Sequence, residues 1–433
     1  MTKCCTAQSG FMVCHRASAL YLTVVSLSVM LGATALTILA TQRRDRALED
    51  TVIVDTQAHW YARAGVGLAL AHMDAVSGWR ANVSNDVLLS DVPIGTGLVD
   101  VYVYDDQDNN VADDKTEPVR LVSVGSADGV ERAIQVQLTA LPHPALDYAV
   151  FGVDSNTISF PNDAEIRGPI RGHGAISGSL SVTKSENASF QTMTGYSISI
   201  NLTPQSTTSV AISAPVVDLN DYLSRATLVS VPTGSKAEMK GYNLTPTNNP
   251  TGLPNADGIY VLNANAKEVR IEDCHIKGTL IIYNTGGNLV EIKKGFWAEP
   301  GPAATPVLLI QAGVGQIYFQ PDSSFEEEDI DLIIPNGVGG TITVEEVDFN
   351  EDGDTSDTFV SRIQGLVWTD SAAVNMSNDN WSVAGCFIGR KVSVEDRITI
   401  NDDPGLKNAL NAGFVQSAMA IVPGSMQEVQ LGS

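Results

Sequence analysis

The chain has 433 residues, 43% of them apolar, enough for two or three folded units with sizeable cores and too apolar for wholesale disorder. With 50 acidic against 26 basic side chains the formal charge is −24, and no basic stripe interrupts it, so nucleic acid is excluded as a partner. Five cysteines are too few for a disulfide framework in a chain this long.

Residues 1–16 read as a short cytosolic tail, with Cys4, Cys5 and Cys14 as free thiols. Residues 17–41, "ASALYLTVVSLSVMLGATALTILAT", contain no charge. That run exceeds the roughly 20 residues a helix needs to span a bilayer, whereas a secretory signal carries an apolar region of only about 7–15. Ala33-Thr34-Ala35 has the small-x-small form of a signal cleavage site, which leaves cleavage open as the alternative to an uncut transmembrane helix.

The following residues favour continuity. Neither Gly nor Pro occurs between Gly32 and Gly65, and small or apolar residues recur at helical intervals through Ala47, Thr51, Val54, Ala58, Ala62, Gly65 and Ala69. The pattern predicts one helix that leaves the membrane and runs on as a stalk over residues 42–78, about 90 Å at about 1.5 Å per residue. A narrow stripe of small side chains suits close packing of another helix. Ala58, Ala62, Gly65 and Ala69 are therefore expected to form the contact with a partner.

Three stretches carry a family resemblance: Arg16-Ala17-Ser18-Ala19-Leu20, Arg43-Arg44-Asp45-Arg46, and Ala62-Arg63-Ala64-Gly65-Val66-Gly67-Leu68-Ala69-Leu70. Over about the first 75 residues the chain resembles the PilX-type pilus-assembly proteins. These are minor-pilin relatives whose hydrophobic N-terminal helix joins or primes a helical filament. The resemblance implies partners among pilin-like or secretion-apparatus proteins, and an inner-membrane, single-pass protein whose body is exported to the periplasm or cell surface. It also implies a processing step, for which Gly10-Phe11 is the upstream position. The chain departs from the family there, with His15 at the fifth mature position where prepilins typically carry Glu, and Arg16 interrupting the apolar segment. Charge alone does not orient the helix: Lys3 and Arg16 precede it, and Arg43, Arg44 and Arg46 follow it.

After Gly78 the pattern changes to alternation. "GLVDVYVYDDQDNN" and "PVRLVSVGSADGVERAIQVQLTAL" predict a small antiparallel, pilin-like β domain over residues 79–144, closed by Pro142 and Pro144. From residue 145 to 415, short β-rich runs recur between Gly, Asn, Asp and Pro, with inward-capable positions such as Val269, Ile271, Ile276, Leu280 and Ile282. The "AEIRGPIRGHGAISG" texture favours a right-handed parallel β-helix-like solenoid, and a β-sandwich is the alternative. This region also resembles the exported body behind PilX-type stalks. Residues 416–433 read as a C-terminal tail. The fold class is thus α+β, mainly β. Cys274 and Cys386 lie in the body, where a bridge between them stays open.

"DFNEDGDTSDTF", residues 348–359, has the form of a calcium loop. Asp348, Asn350 and Asp352 alternate, Gly353 permits a sharp turn, and Asp354, Ser356 and Asp357 continue the oxygen series. Phe359 stands where an EF-hand has its bidentate Glu, and no helices flank the loop. Calcium is the cofactor this pattern suggests, and a solvated acidic turn is the alternative. "DDQDNNVADD" at 105–114 repeats the spacing without the Gly, through Asp106, Asp108 and Asn110. The run Glu326, Glu327, Glu328 and Asp329 reads as a solvated acidic loop.

The chain contains no nucleophile elbow, HExxH, Walker loop or dinucleotide fingerprint, and its 6 histidines are scattered. The sequence therefore reads as a non-enzymatic structural component of a type IV pilus-like or type II secretion-like assembly. One alternative is a membrane-anchored adhesin binding extracellular polysaccharide. Another is a β-helix carbohydrate-active enzyme in which Arg167, Arg171 and His173 bind a sugar acid.

Overall fold

The computed structural model describes residues 11–83, 86–153, 158–182, 188–193, 199–200, 212, 214–232, 234–283, 289–302, 306–311, 315–370, 373–378, 380–395, 398–407 and 414–430. Helix α1 (Phe11–Ala75) is continuous over 65 residues, so the apolar run and the stalk are one rod. Its stretch Leu20–Ala75 contains a segment long and apolar enough to cross a membrane. Leu20, Met30 and Leu31 are bare, at 69%, 69% and 63% exposure. The hydroxyls along this stretch bond back to carbonyls of their own helix: Thr23 to Leu20 at 2.8 Å, Ser28 to Val24 at 2.8 Å, Thr37 to Ala33 at 2.8 Å. Polar side chains satisfied in this way tolerate hydrocarbon around them.

The second half of α1 packs on an antiparallel sheet of β1 (Val87–Ile94), β2 (Gly97–Tyr104), β3 (Val119–Ala127) and β4 (Val130–Pro142). Burial alternates strictly along β3, so one face meets the helix and the other meets water. Val66, Ala69 and Met73 of α1 share a core with Val99, Val101, Leu121, Val136 and Leu138. The two layers approach closely because Gly125 of β3 lies against the helix backbone, where an added Cβ would stand 2.3 Å from Ala58 O and Ala62 N.

The sheet continues in an unexpected direction. Residues 416–433, expected as a tail, return to it: Val415–Ile421 and Gln427–Val429 both pair antiparallel with β4. The His143 amide donates to Phe414 O at 2.7 Å, so the body between them is an insertion whose two ends are neighbours.

The body is built from parallel ladders. One runs through Ile259–Asn263, Thr279–Tyr283, Leu308–Ile310, Arg362–Thr369, Ser382–Gly389, Val150–Gly152 and Ile170–Val182. A second runs through Lys236–Lys240, Glu268–Lys277, Leu289–Glu299, Gln316–Pro321, Ala373–Met376 and Lys391–Val394. Parallel pairing of this kind fits a solenoid-like body and not the antiparallel hairpins of a sandwich. Val269, Ile271, Ile276, Leu280 and Ile282 all lie in its main core. The body is not threaded end to end: its first strand, Val150–Gly152, pairs with Ser382–Gly389, one of its last. Gly278, Gly365 and Gly385 turn the corners between ladders at φ of +142°, +120° and +151°, a region closed to other residues. Cys274 and Cys386 are both free, buried in different clusters, which corrects the possible bridge.

Candidate functional site

Three features have chemical potential: the bare helix, the carboxylate clusters, and the cavities. The predicted stripe on α1 belongs to none of them. Ala58, Ala62 and Ala69 are 0% exposed and Gly65 is buried, all under the chain's own sheet. A Cβ on Gly65 would stand 2.1 Å from Ser123 Oγ. The stripe does mark close packing, but the surface it packs against is internal, so it is not free for a partner. Among the described large side chains of the rod, exposed apolar surface is densest from Leu20 to Leu39 and continues more sparsely through Leu48, Val52, Ile53, Trp60 and Leu68. Gly10 lies outside the described residues, and Phe11 is the first residue of α1.

The acidic loop sits in a segment inserted between the strands Gln316–Pro321 and Arg362–Thr369. Ser324–Glu326 pairs antiparallel with Thr358–Val360, and the hairpin of Leu332–Pro335 and Thr341–Val344 reaches Lys240 through Ile333. Phe325, Ile330, Val347 and Phe349 give this segment a small core of its own.

Within the loop, Asp348 accepts from the amides of Asp352 (3.3 Å) and Gly353 (2.9 Å). Asp352 accepts from the Asp354 amide at 3.1 Å, and Asp354 from the Ser356 amide at 3.0 Å, which holds the Asp354 carboxyl below its usual range. The Asn350 side-chain amide donates to Asp352 at 3.0 Å and to Asp357 at 2.7 Å, bridging two carboxylates. Of the predicted set, only Asp354 and Asp357 converge, joined by a residue outside it, while Asp348, Asn350 and Asp352 are engaged by amides of the loop itself. The carboxylates of Glu327, Asp354 and Asp357 lie within 4.8 Å of one another.

Glu327 is missed when the acidic run is read as a solvated loop, yet the signal is present. Phe325 lies in the strand Ser324–Glu326 and Glu327 opens the 3-10 turn that follows, and with Glu326 still extended between them both side chains enter the same buried side. Glu327 is 0% exposed, and burial raises its carboxyl above the usual range. One of its oxygens accepts from the Phe349 amide at 2.5 Å, and the other, Oε2, is buried without a hydrogen-bond partner.

The second acidic stretch is arranged differently from its sequence pattern. Asp106 forms a two-oxygen ion pair with Arg120, with Nε and Nη2 at 3.0 and 2.9 Å. The carboxylates that do converge are Asp105, Asp108, Asp113 and Glu117. Burial, then a shared hydrogen bond with Asp105, pushes Glu117 up to about 7. Arg80, itself buried, lies among Asp114, Asp105, Glu117 and Asp113 as their countercharge, its guanidinium lowered by desolvation.

A cavity of about 340 Å³ lies beside the acidic loop, lined in part by His275, Trp297, Glu299 and Phe349. Its tryptophan offers no free platform: Trp297 stacks on His275 at 4.1 Å and on Phe359 at 5.0 Å, with the Arg362 guanidinium 4.9 Å from the ring centre. A larger space of about 580 Å³ occupies the junction of helix end, sheet and body, against Trp79, Arg80, His143 and Met419. Arg171 is buried and donates to the Tyr148 hydroxyl at 3.1 Å, a structural placement, while Arg167 is exposed. The His173 side chain lies outside the described residues.

No family model matches the chain, and no curated protein matches it. Among solved structures it is similar to the competence-associated pilin ComZ from Thermus thermophilus, at 12% identity and a TM-score of 0.31, over 87% of this chain and 97% of that one.

Proposed function

We infer that this chain is a non-enzymatic, membrane-anchored subunit of a type IV pilus-like or type II secretion-like assembly, related to the PilX-type proteins. The observation that carries this reading is the division of labour along α1. One continuous rod is bare and apolar where it would meet lipid or neighbouring helices, and buried by its own antiparallel sheet where it would leave the membrane. A signal sequence has no use for such continuity. In this reading the helix sits in the inner membrane and the body, a right-handed parallel β-solenoid, is exported and faces outward.

Because the small-residue stripe is occupied internally, partner contact is assigned to the exposed apolar stretch. The test places a photo-crosslinking residue at Leu27 or Leu31 in the full chain expressed in its native cell. Crosslinks to pilin-like or secretion-apparatus proteins, recovered from the membrane fraction, are the expected result. Recovery of the chain in the soluble fraction, or crosslinks to lipid alone, refutes it.

A further inference from the structure

We propose that Glu327, Asp354 and Asp357 bind one Ca²⁺ that ties the acidic loop to the buried strand end beneath it. Asn350 and Asp352 supply further oxygens to the same ion.

The geometry fits one ion. Calcium–oxygen distances run about 2.3–2.6 Å, so ligand oxygens on one ion stand at most about 5 Å apart. The three carboxylates meet that bound, each offering an oxygen within 4.8 Å of the others. They come from two segments about 30 residues apart, and Glu327 fills the role of the acidic ligand that Phe359 does not provide.

A bare turn has no use for a buried carboxylate. Glu327 is fully covered; Oε1 accepts from the Phe349 amide and the Asp357 and Asn350 amides face the carboxylate, but Oε2 has no partner in hydrogen-bonding geometry. A buried carboxylate without a countercharge is costly and is relieved either by a proton or by a cation, and the two further carboxylates beside Glu327 favour the cation. Among the described residues no Lys, Arg or His forms an ion pair with Glu327, Asp354 or Asp357. The contrast with the Asp105 cluster is direct, because there Arg80 already supplies the positive charge. In the loop, a neutral donor, the Asn350 amide, stands between Asp352 and Asp357. Turning that amide by half a rotation gives up the bond from the Asp352 amide to Asn350 Oδ1 at 3.1 Å and presents the oxygen to the same point. Calcium suits this set better than magnesium, which demands a small octahedral site and keeps its waters. A site on an exported body meets millimolar calcium, so a dissociation constant of about 10⁻⁴–10⁻³ M suffices.

The expected affinity rests on the export proposed above, whereas the site itself is tested without reference to the assembly role. The full chain, purified in detergent and stripped with a chelator, is titrated with CaCl₂ at fixed ionic strength, and amide hydrogen exchange is followed across residues 324–361. Exchange should slow in 327–330 and 346–358 along a saturable curve that MgCl₂ at the same concentrations does not reproduce. Glu327→Gln should move the midpoint at least tenfold upward. Glu326→Gln, at the exposed neighbour, should leave it in place. If Glu327→Gln loosens the segment even without calcium, Asp357→Asn supplies the same comparison. Absence of calcium-specific protection in the unaltered chain overturns the proposal. So does a titration curve that neither Glu327→Gln nor Asp357→Asn displaces.

Discussion

At Gly125 the sheet lies directly against the helix backbone, and a single methyl there should pry them apart. In Gly125→Ala the new carbon would begin 2.3 Å from Ala58 O and Ala62 N, and 2.8 Å from Tyr61 C. All three are helix backbone and cannot swing aside as a side-chain end can. Ordinary contact starts near 3.4 Å, so α1 must retreat by about 1 Å at this crossing. Overpacking of this kind costs about 1–3 kcal/mol. A gap of about 0.5–1 Å across the adjoining contacts also forfeits a quarter to a half of their dispersion attraction. The upper part of that range, about 2–3 kcal/mol, is therefore expected. Native-state hydrogen exchange of the full chain in detergent reads it locally, as lost protection in residues 58–73 and 119–127 with the body unchanged. Gly67→Ala is the matched comparison. It lies on the same helix with nothing within 4 Å of an added Cβ, and should gain about 0.5–1 kcal/mol from helix propensity. Equal protection in the two variants would refute the claim that backbone-to-backbone approach sets this interface.

Three further outcomes follow from the same structure. In Gly385→Ala the Cβ would meet Gly365 O at 2.0 Å, at a φ of +151° that an L-residue resists, so the body should lose about 3 kcal/mol or more, read as a lowered denaturation midpoint. Trp79→Phe removes the indole donor to Ser417 O, 3.0 Å away, and should cost about 1–3 kcal/mol, seen as faster exchange confined to residues 415–421 and their β4 partners. Glu117 is held up to about 7 from 4.5, so the fold binds a proton there that the unfolded chain has released; its stabilising effect is full below about pH 4.5 and lost as pH rises through about 7. At about 1.4 kcal/mol per pH unit the ceiling is about 3 kcal/mol, and solvent around this partly exposed side chain brings it to about 1. Glu117→Gln should therefore gain on the unaltered chain at pH 8 and match it at pH 4.5, and parallel denaturation curves at both pH values would count against the assignment.

Local periodicity made the helix, the antiparallel strands and the parallel texture of the body legible, because each depends on neighbours a few residues apart. The corner glycines are an example. The runs "HIKGTLII" and "RIQGLVWT" each place one Gly between two buried arms, and in the fold Gly278 and Gly365 turn the chain there. What stayed hidden depends on partners far away. Val415–Ile421 alternates too weakly to announce a strand, and its pairing with β4 spans more than 270 residues. Likewise the meeting of Val150–Gly152 with Ser382–Gly389 leaves no trace in either segment.

The small-residue stripe on α1 shows how the same pattern can mislead. A row of Ala and Gly lets a backbone approach, whether the approaching surface belongs to another chain or to the same one. Here the strand facing the stripe also lacks bulk, with Gly125 opposite Ala58 and Ala62, and Ser123 opposite Gly65. The docking is internal because Ala58, Ala62 and Ala69 are already covered by the chain's own strands. Closer to the N-terminus the helix presents Leu20, Leu27 and Leu31 to its surroundings, bulky and bare. The C-terminal half of the rod belongs to the fold and its apolar N-terminal half is a candidate membrane span, so a bulky residue at Ala62 should unfold the first unit rather than merely uncouple it from a partner.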